Sequence, residues 1–262
     1  MRAIIKKNIN GWIIIDKQAG ITSRQVVTKI SKILNLKKVG HGGTLDPLAT
    51  GILPIAIGEA TKVISLVQSK EKKYAFIIKW GVSTETDDSE GKVLEISKAR
   101  PTHKEITSIL NCFIGNVFQK PPLYSAIKIN GQRSYKLARQ KIEIEHKLRK
   151  IKVYNLTLKK IIDVNSAEFE VTCGKGTYVR SLARDIAEKL NTKGHIMSLR
   201  RLSVGTFDEK DTIFIDFSKE IIHSPSVLDK LLPIETVLDD IPALVLNEIE
   251  ARQVKQCQKI KF

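Results

Sequence analysis

The sequence is poor in cysteine, in aromatic residues and in acidic charge, and it contains no long apolar run. Its three cysteines, Cys112, Cys173 and Cys257, share no metal-like spacing and are odd in number. So sparse a set suits a reducing compartment and excludes a small disulfide-stapled scaffold. The five histidines, His41, His103, His146, His195 and His223, are scattered, and neither HxxxH nor CxxC occurs, so no metal site is expected. No apolar stretch approaches the roughly 18 residues that a membrane-spanning helix needs. Within Met1 to Asp16, which carries basic residues, the longest apolar block is Trp12–Ile15, too short for the core of a signal peptide. The cytoplasm is the expected compartment. No glycine stands five residues before the Gly174-Lys175 pair, which removes a phosphate-loop reading of that stretch. Internal repeats and low-complexity segments are absent.

What the chain has is positive charge. Lys and Arg number 44 against 28 Asp and Glu, a net charge of +16. Such a field attracts polyanions, nucleic acid above all. No basic helix with a Trp/Phe/Leu face stands out, so a membrane surface ranks far lower. At 262 residues the chain can bury a sizeable core in one large or two smaller domains. Charge is densest between Lys120 and Lys160, where twelve Lys/Arg face two Glu. A run of this kind is often only a solvated face. Here Tyr124, Tyr135 and Tyr154 interleave the charges, as stacking platforms along a backbone-tracking surface would.

The most unusual stretch is Gly40-His41-Gly42-Gly43-Thr44-Leu45-Asp46-Pro47-Leu48-Ala49-Thr50-Gly51. Asp46 precedes a proline, so its backbone is expected to be extended or turned. The glycines permit positive φ and close approach by another backbone or a ligand. A tight turn with a capping Asp explains the residue types as well as a presented carboxylate does.

Around this loop the pattern reads as alternating elements. Gly11–Asp16 is a buried strand, and Thr22 or Ser23 caps a helix with Val26, Val27, Ile30, Ile33 and Leu34 on one face. Ile52–Ile57 reads as a strand and Glu59–Val67 as a helix. Tyr74–Gly81 is a strand whose Tyr74, Phe76, Ile78 and Trp80 share a face. Thr84–Gly91 is a polar acidic loop and Val93–Ile96 the return strand. Thr102 and Glu105 form a capping box for a helix carrying Ile106, Ile109, Leu110 and Phe113, stopped by Gly115. Ile151–Lys159 and Ala167–Cys173 are strands. Gly174–Leu182 runs into a helix with Leu182, Ile186 and Leu190 inward. From Asp208 the charge reverses, through Asp216, Glu220, Asp229, Glu235, Asp239 and Asp240, and Ser-Pro and Leu-Pro pairs punctuate the region. His195 reads as a structural or surface histidine rather than a catalytic one.

Arg180 falls in the first turn of its helix, where a cation opposes the dipole by about 0.3–1 kcal/mol. An anion is expected to compensate it, either a substrate phosphate or Asp46. A glycoside hydrolase would need two facing carboxylates. A single motif carboxylate beside a motif arginine suits isomerisation better than hydrolysis.

Gly-His-x-Gly-x-Leu-Asp-Pro-x-Ala-x-Gly-x-Leu-Pro resembles the signature of the TruB family of RNA pseudouridine synthases. Lys-x-Tyr at 72–74, Lys-Gly-Thr-Tyr-Val-Arg at 175–180 and the stretch His195–Gly205 resemble further motifs of that family. The resemblance implies an α+β pseudouridine synthase fold: a mixed, mainly antiparallel sheet, flanking helices, a central cleft and a thumb-loop insertion at about 124–152. It implies conversion of uridine to pseudouridine at position 55 in the T-loop of tRNA, on a flipped-out base and without a cofactor. Asp46 matches the nucleophile, Arg180 its ion-pair partner and Tyr74 the ring that stacks on the base. His41, Tyr178, Leu199 and Lys17 match substrate-side positions. Arg133, Lys136, Arg139 and Lys141 fall in the thumb and are expected at the RNA backbone. The implied partner is the T-arm stem-loop of tRNA, with a monomeric enzyme and neither membrane nor protein partner.

Residues 1–240 are then the catalytic domain, and 241–262 look like the opening of a C-terminal RNA-binding subdomain that the chain does not complete. Whether the aspartate attacks sugar or base, or removes a proton, is open at this level. A non-catalytic tRNA chaperone would share the basic features without needing Asp46. A synthase for another RNA would share the chemistry and differ in the thumb.

Overall fold

The computed structural model describes residues 9–216 and 227–260; Glu220, His223 and the Ser224-Pro225 pair lie outside them. The chain opens with β1 (Gly11–Lys17), whose Trp12 and Ile14 face one cluster of buried side chains while Ile13 and Ile15 face another. A strand covered on both faces reads as the uninterrupted apolar run seen here. The helix α1 (Ser23–Ile33) follows, closed by reciprocal hydrogen bonds between Thr22 and Gln25. β2 (Val39–His41) and β3 (Thr50–Ile57) flank the glycine-rich loop.

The helix expected over Glu59–Val67 is instead a 3-10 turn, Gly58–Val63, running into α2 (Ile64–Ser69). The Thr61 hydroxyl donates back to the Gly58 carbonyl at 2.7 Å, which favours the tighter turn. β4 (Lys72–Trp80) and the hairpin β5 (Val82–Thr84) and β6 (Val93–Ile96) come next. The Thr102–Glu105 capping box is formed, but α3 (His103–Ile109) gives way to a 3-10 turn over Leu110–Phe113, and Gly115 already opens β7 (Gly115–Gln119).

The basic region folds as a short hairpin, β8 (Lys128–Ile129) and β9 (Gln132–Arg133), with α4 (Ser134–Arg139). A return segment then leads to β10 (Arg149–Asp163) and β11 (Ser166–Cys173). α5 (Val179–Lys189), β12 (Gly194–Val204), β13 (Thr212–Phe214) and α6 (Glu248–Lys255) complete the described elements.

The sheet runs β13-β1-β3-β12-β4-β11-β10-β7, with β2 beside β3. It is antiparallel except where β1 meets β13 and β12 meets β3. α1, α3 and α5 cover one face through Val26, Ile30, Ile106, Leu182 and Ile186; Val67 of α2, Phe207 and Val237 cover part of the other.

One crossing of strands positions everything that follows. On β12, Arg201 is paired with Gly51 of β3 on one side and with Tyr74 of β4 on the other. Gly51 has φ +98°, and a Cβ there would collide with the Arg201 carbonyl oxygen, so only glycine lets the loop rejoin the sheet at this point.

Candidate active site

The loop between β2 and β3 is fixed from three directions. From the end of β1, the Lys17 ammonium donates to the Pro47 carbonyl at 3.1 Å as well as to Gln18 O and Ile21 O. From the start of α1, the Ser23 hydroxyl accepts from the Leu45 N–H at 2.8 Å and donates to the Leu45 carbonyl at 3.1 Å. From β12, the Arg201 guanidinium donates to Gly43 O, Thr44 O and Ile52 O. Asp46 stands in this frame with its own carbonyl accepting from Ala49 N at 3.1 Å. A carboxylate so held keeps its aim before anything binds.

Arg180 reaches Asp46 from the first turn of α5. Its Nε lies 2.9 Å from Asp46 Oδ2 and its Nη2 lies 3.0 Å from Oδ1, a side-on bidentate pair. The other N–H groups of Arg180 meet Thr86 O at 2.8 Å, Tyr124 O at 3.0 Å and Asp88 Oδ2 at 3.5 Å. The Arg180 side chain is 5% exposed and that of Asp46 32%, so the pair faces protein on one side and the cleft on the other. Of the two anions expected to compensate Arg180, it is Asp46 that is present, with Asp88 behind it. The start of α5 is itself locked: the Gln119 side chain accepts from Tyr178 N at 2.9 Å and donates to Tyr178 O at 3.1 Å.

Asp46 and Arg180 line a cleft of about 1030 Å³ together with Tyr74, His41, Tyr178 and Leu199. Burial pushes the Tyr74 phenol up, and the Arg201 guanidinium opposes that shift. Burial, then Arg201, lowers His41 below the ordinary histidine range. Its Nδ1 accepts from Gly43 N at 3.4 Å. Burial also raises the Tyr178 phenol. Arg133 and Arg139 reach the same cleft, whereas Lys136 and Lys141 are exposed and do not line it. The Arg133 guanidinium also donates to Ala126 O across the small hairpin, and Arg139 lies over the Tyr135 ring at 5.8 Å.

Lys17 is a correction. As a substrate-side residue it should be open to the cleft, but it is 0% exposed and its ammonium is surrounded by carbonyls of the loop. Desolvation lowers its pKa to about 8. Its place is underneath the loop, as a support. His195 is buried with Nδ1 at 2.8 Å from Val82 O, in keeping with a structural histidine.

Several residues at the site went unread in the sequence. The loop 84–91, which looked like a plain acidic hairpin end, folds over α5: Arg180 meets Thr86 O and Asp88, and Arg184, one turn on, meets Asp87 at 2.8 Å. Two arginines at i and i+4 opposite two adjacent aspartates are the available signal. Arg201 had a plainer one: it stands two residues after Leu199 on a strand, hence on the same face. Among the described residues no group of three or more His, Cys, Asp or Glu is placed to hold a metal ion.

A long mixed sheet with a cleft, and in that cleft the Asp46 carboxylate of the glycine-rich loop held side-on by Arg180, is the arrangement of a pseudouridine synthase. The chain superposes on a chain of a Cbf5–Nop10–Gar1 complex with a TM-score of 0.68 and 30% identity, covering 88% of this chain and 62% of that one. It thus spans somewhat under two thirds of that longer protein. Residues 31–179 match the N-terminal domain of TruB family pseudouridylate synthase, and 180–239 match the tRNA pseudouridylate synthase B C-terminal domain. The tRNA pseudouridine synthase B of Rhodospirillum rubrum is 47% identical over 97% of this chain and 82% of its own length. That of Caulobacter sp. strain K31 is 45% identical over 96% of this chain and 81% of its own. The chain belongs to the TruB family and is a pseudouridine synthase, an isomerase.

Proposed function

We propose that the protein converts uridine to pseudouridine at position 55 in the T-loop of tRNA, with Asp46 as the nucleophile and no cofactor. The observation that carries this reading is the bidentate Asp46–Arg180 pair opening onto the cleft beside Tyr74. The name shared by the relatives, tRNA pseudouridine synthase B, supports the substrate class.

In this isomerisation the N1–C1′ bond breaks and a C5–C1′ bond forms, while a proton leaves C5 and one arrives at N1. Atoms and charge balance without an outside reactant. Asp46 must be aimed to start it, which is what Arg180 and the three loop supports provide. The target base lies stacked inside an RNA loop, and extruding it costs a few kcal/mol. A neutral His41 ring fits the vacated space, Tyr74 stacks on the extruded base, and Leu199 and Tyr178 close the pocket. The hairpin and α4 within 124–152 act as a thumb on the stem, Arg133 and Arg139 nearest the cleft and Lys136 and Lys141 further out.

On this reading residues 1–240 form the catalytic unit and 241–262 contribute to RNA binding. The monomer is the working unit and the cytoplasm its compartment. Among the described residues no helix is long and apolar enough to cross a membrane.

Unmodified tRNA incubated with the protein and mapped by carbodiimide-dependent reverse-transcription stops tests the reading. A single new stop at position 55 is expected. Stops in other RNAs but not at this uridine would point to a synthase with a different substrate. Binding with no stop at all would make the protein a tRNA chaperone.

A further inference from the structure

Arg201 is the most completely buried cation that lines the cleft, at 1% exposure. Its Nε donates to Ile52 O at 2.7 Å, Nη2 to Gly43 O at 3.1 Å and Nη1 to Thr44 O at 3.4 Å. Among the described residues these partners are carbonyls, and no carboxylate is paired with it. Arg180, Arg184 and Arg200 each have two. A buried charge without a counterion is costly, and carbonyl dipoles offset that cost only in part. An unpaired cation beside a reaction site is therefore a place where negative charge is favoured.

Its backbone position makes the target specific. Arg201 is the cross-strand partner of Tyr74, and Leu199, on the same face of β12, faces the same cleft. The three carbonyls bracket Asp46: Gly43 and Thr44 precede it, and Ile52 follows the loop into β3. The guanidinium has five N–H groups; these carbonyls take three, and the Tyr74 hydroxyl is a further hydrogen-bond partner.

We propose that Arg201 is a positioning residue that locks the Asp46 loop from both sides and presents a buried positive charge to the Tyr74 hydroxyl and to the base stacked on it. The chemistry asks for such a charge. When N1–C1′ breaks with its electron pair left on N1, the detached uracil is an anion until C5 bonds to C1′. A buried cation already held in place stabilises that anion without reorganising. Arg180 cannot serve, because its donors are engaged by Asp46, Thr86, Tyr124 and Asp88. The proposal rests on the pseudouridine synthase reading of this cleft.

Three variants separate the roles. Arg201→Lys keeps the charge but cannot fork across three carbonyls; Arg201→Gln keeps two donors and loses the charge; Tyr74→Phe removes the phenol. With the full chain and a T-arm stem-loop, Arg201→Gln is expected to lower kcat about a hundredfold or more. KM for the RNA should stay within about threefold, and Arg201→Lys should recover part of the rate. The second readout needs no turnover: ultraviolet titration of phenolate absorbance, with Tyr74→Phe identifying the Tyr74 transition. That transition should move to higher pH in Arg201→Gln and stay close to wild type in Arg201→Lys.

Equal losses in the Lys and Gln variants, tracking their urea midpoints, with an unmoved Tyr74 transition, would reduce Arg201 to a structural clamp and overturn the proposal. Wild-type kcat in Arg201→Gln would overturn it outright. If the wild-type protein forms no pseudouridine, the functional reading fails instead, and the titration still reports whether Arg201 acts on Tyr74.

Discussion

Arg180 holds Asp46 side-on, Nε to Oδ2 at 2.9 Å and Nη2 to Oδ1 at 3.0 Å, across 134 residues of sequence. The pair joins the glycine-rich loop to the first turn of α5, so the loop that carries the carboxylate and the helix that orients it move as one. The free side of the carboxylate faces the cleft, and the guanidinium has its back to Thr86, Asp88 and Tyr124.

Breaking that pair from either side should cost unequal amounts. Arg180→Met strands the Thr86 and Tyr124 carbonyls as well as Asp46, and about 3–5 kcal/mol of stability should be lost. Asp46→Asn keeps an acceptor oxygen for Arg180, so about 1–3 kcal/mol is expected. Urea unfolding of the two single variants and the double variant should give a coupling of about 0.5–3 kcal/mol. Additive losses would mean that the two side chains do not interact in solution.

Lys17 lies under the loop, and its removal tests whether support from below matters to the chemistry. Lys17→Met leaves Gln18 O and Ile21 O without that donor, while Pro47 O keeps the Gly20 N–H at 2.9 Å. At about 1–3 kcal/mol for each buried acceptor left unpaired, a loss of roughly 2–6 kcal/mol is expected. Turnover should fall while RNA affinity stays near wild type. A direct substrate contact would instead show as a loss of affinity on an unchanged fold.

RNA binding should weaken with salt, and the thumb should account for part of the slope. Each phosphate contact contributes about 0.9 to the fall of log K with log salt on a duplex. Arg139→Ala and Arg133→Ala are expected to flatten the slope by about one contact each. Lys136→Ala and Lys141→Ala, outside the cleft, should change it less. Filter binding of a T-arm stem-loop over a salt series measures this, and equal effects at all four positions would contradict the ranking.

His41 gives the site a pH dependence of defined sign. Its folded pKa lies below the ordinary value near 6.5, so at pH values between the two the unfolded chain binds more protons than the folded one. Its contribution to stability is complete above about pH 6.5 and is lost as pH falls toward the lower folded value. Wild type should therefore lose more stability than His41→Gln between pH 7.5 and the acid side of this window, about pH 5. Equal losses would place the ring in a solvated setting.

Much of this arrangement was legible before the structure, for physical reasons that differ by residue. β1 and α5 announced themselves through apolar runs and helical spacing, which local geometry enforces. Arg180 was legible because a cation at a helix start needs an anion. Tyr74 and Leu199 drew their places from the family resemblance, since a tyrosine or leucine on a strand is ordinarily core. Gln119, Ser23 and the loop 84–91 were not legible: each acts through contacts with elements far away in sequence, which no local pattern records. Lys17 was placed on the substrate side by the family resemblance alone, and only the closure of β1 against the loop shows that it is buried underneath. Arg201 was within reach of the period-two rule, counted from Leu199, but was not singled out within the stretch His195–Gly205. Its neighbour Arg200 does point the other way, to Asp16 and Glu209.

The central claim, that Asp46 performs the isomerisation, has a direct test in single-turnover conversion of a T-arm stem-loop by wild type and Asp46→Asn. Binding of the same RNA is measured in parallel by filter retention. The substitution keeps the size of the side chain and an oxygen for Arg180 while removing the charge. The account predicts RNA affinity within about threefold of wild type, and pseudouridine formation lower by about a thousandfold or more, a difference of at least about 4 kcal/mol in the barrier. Pseudouridine formed by the Asn variant at near the wild-type rate would contradict it.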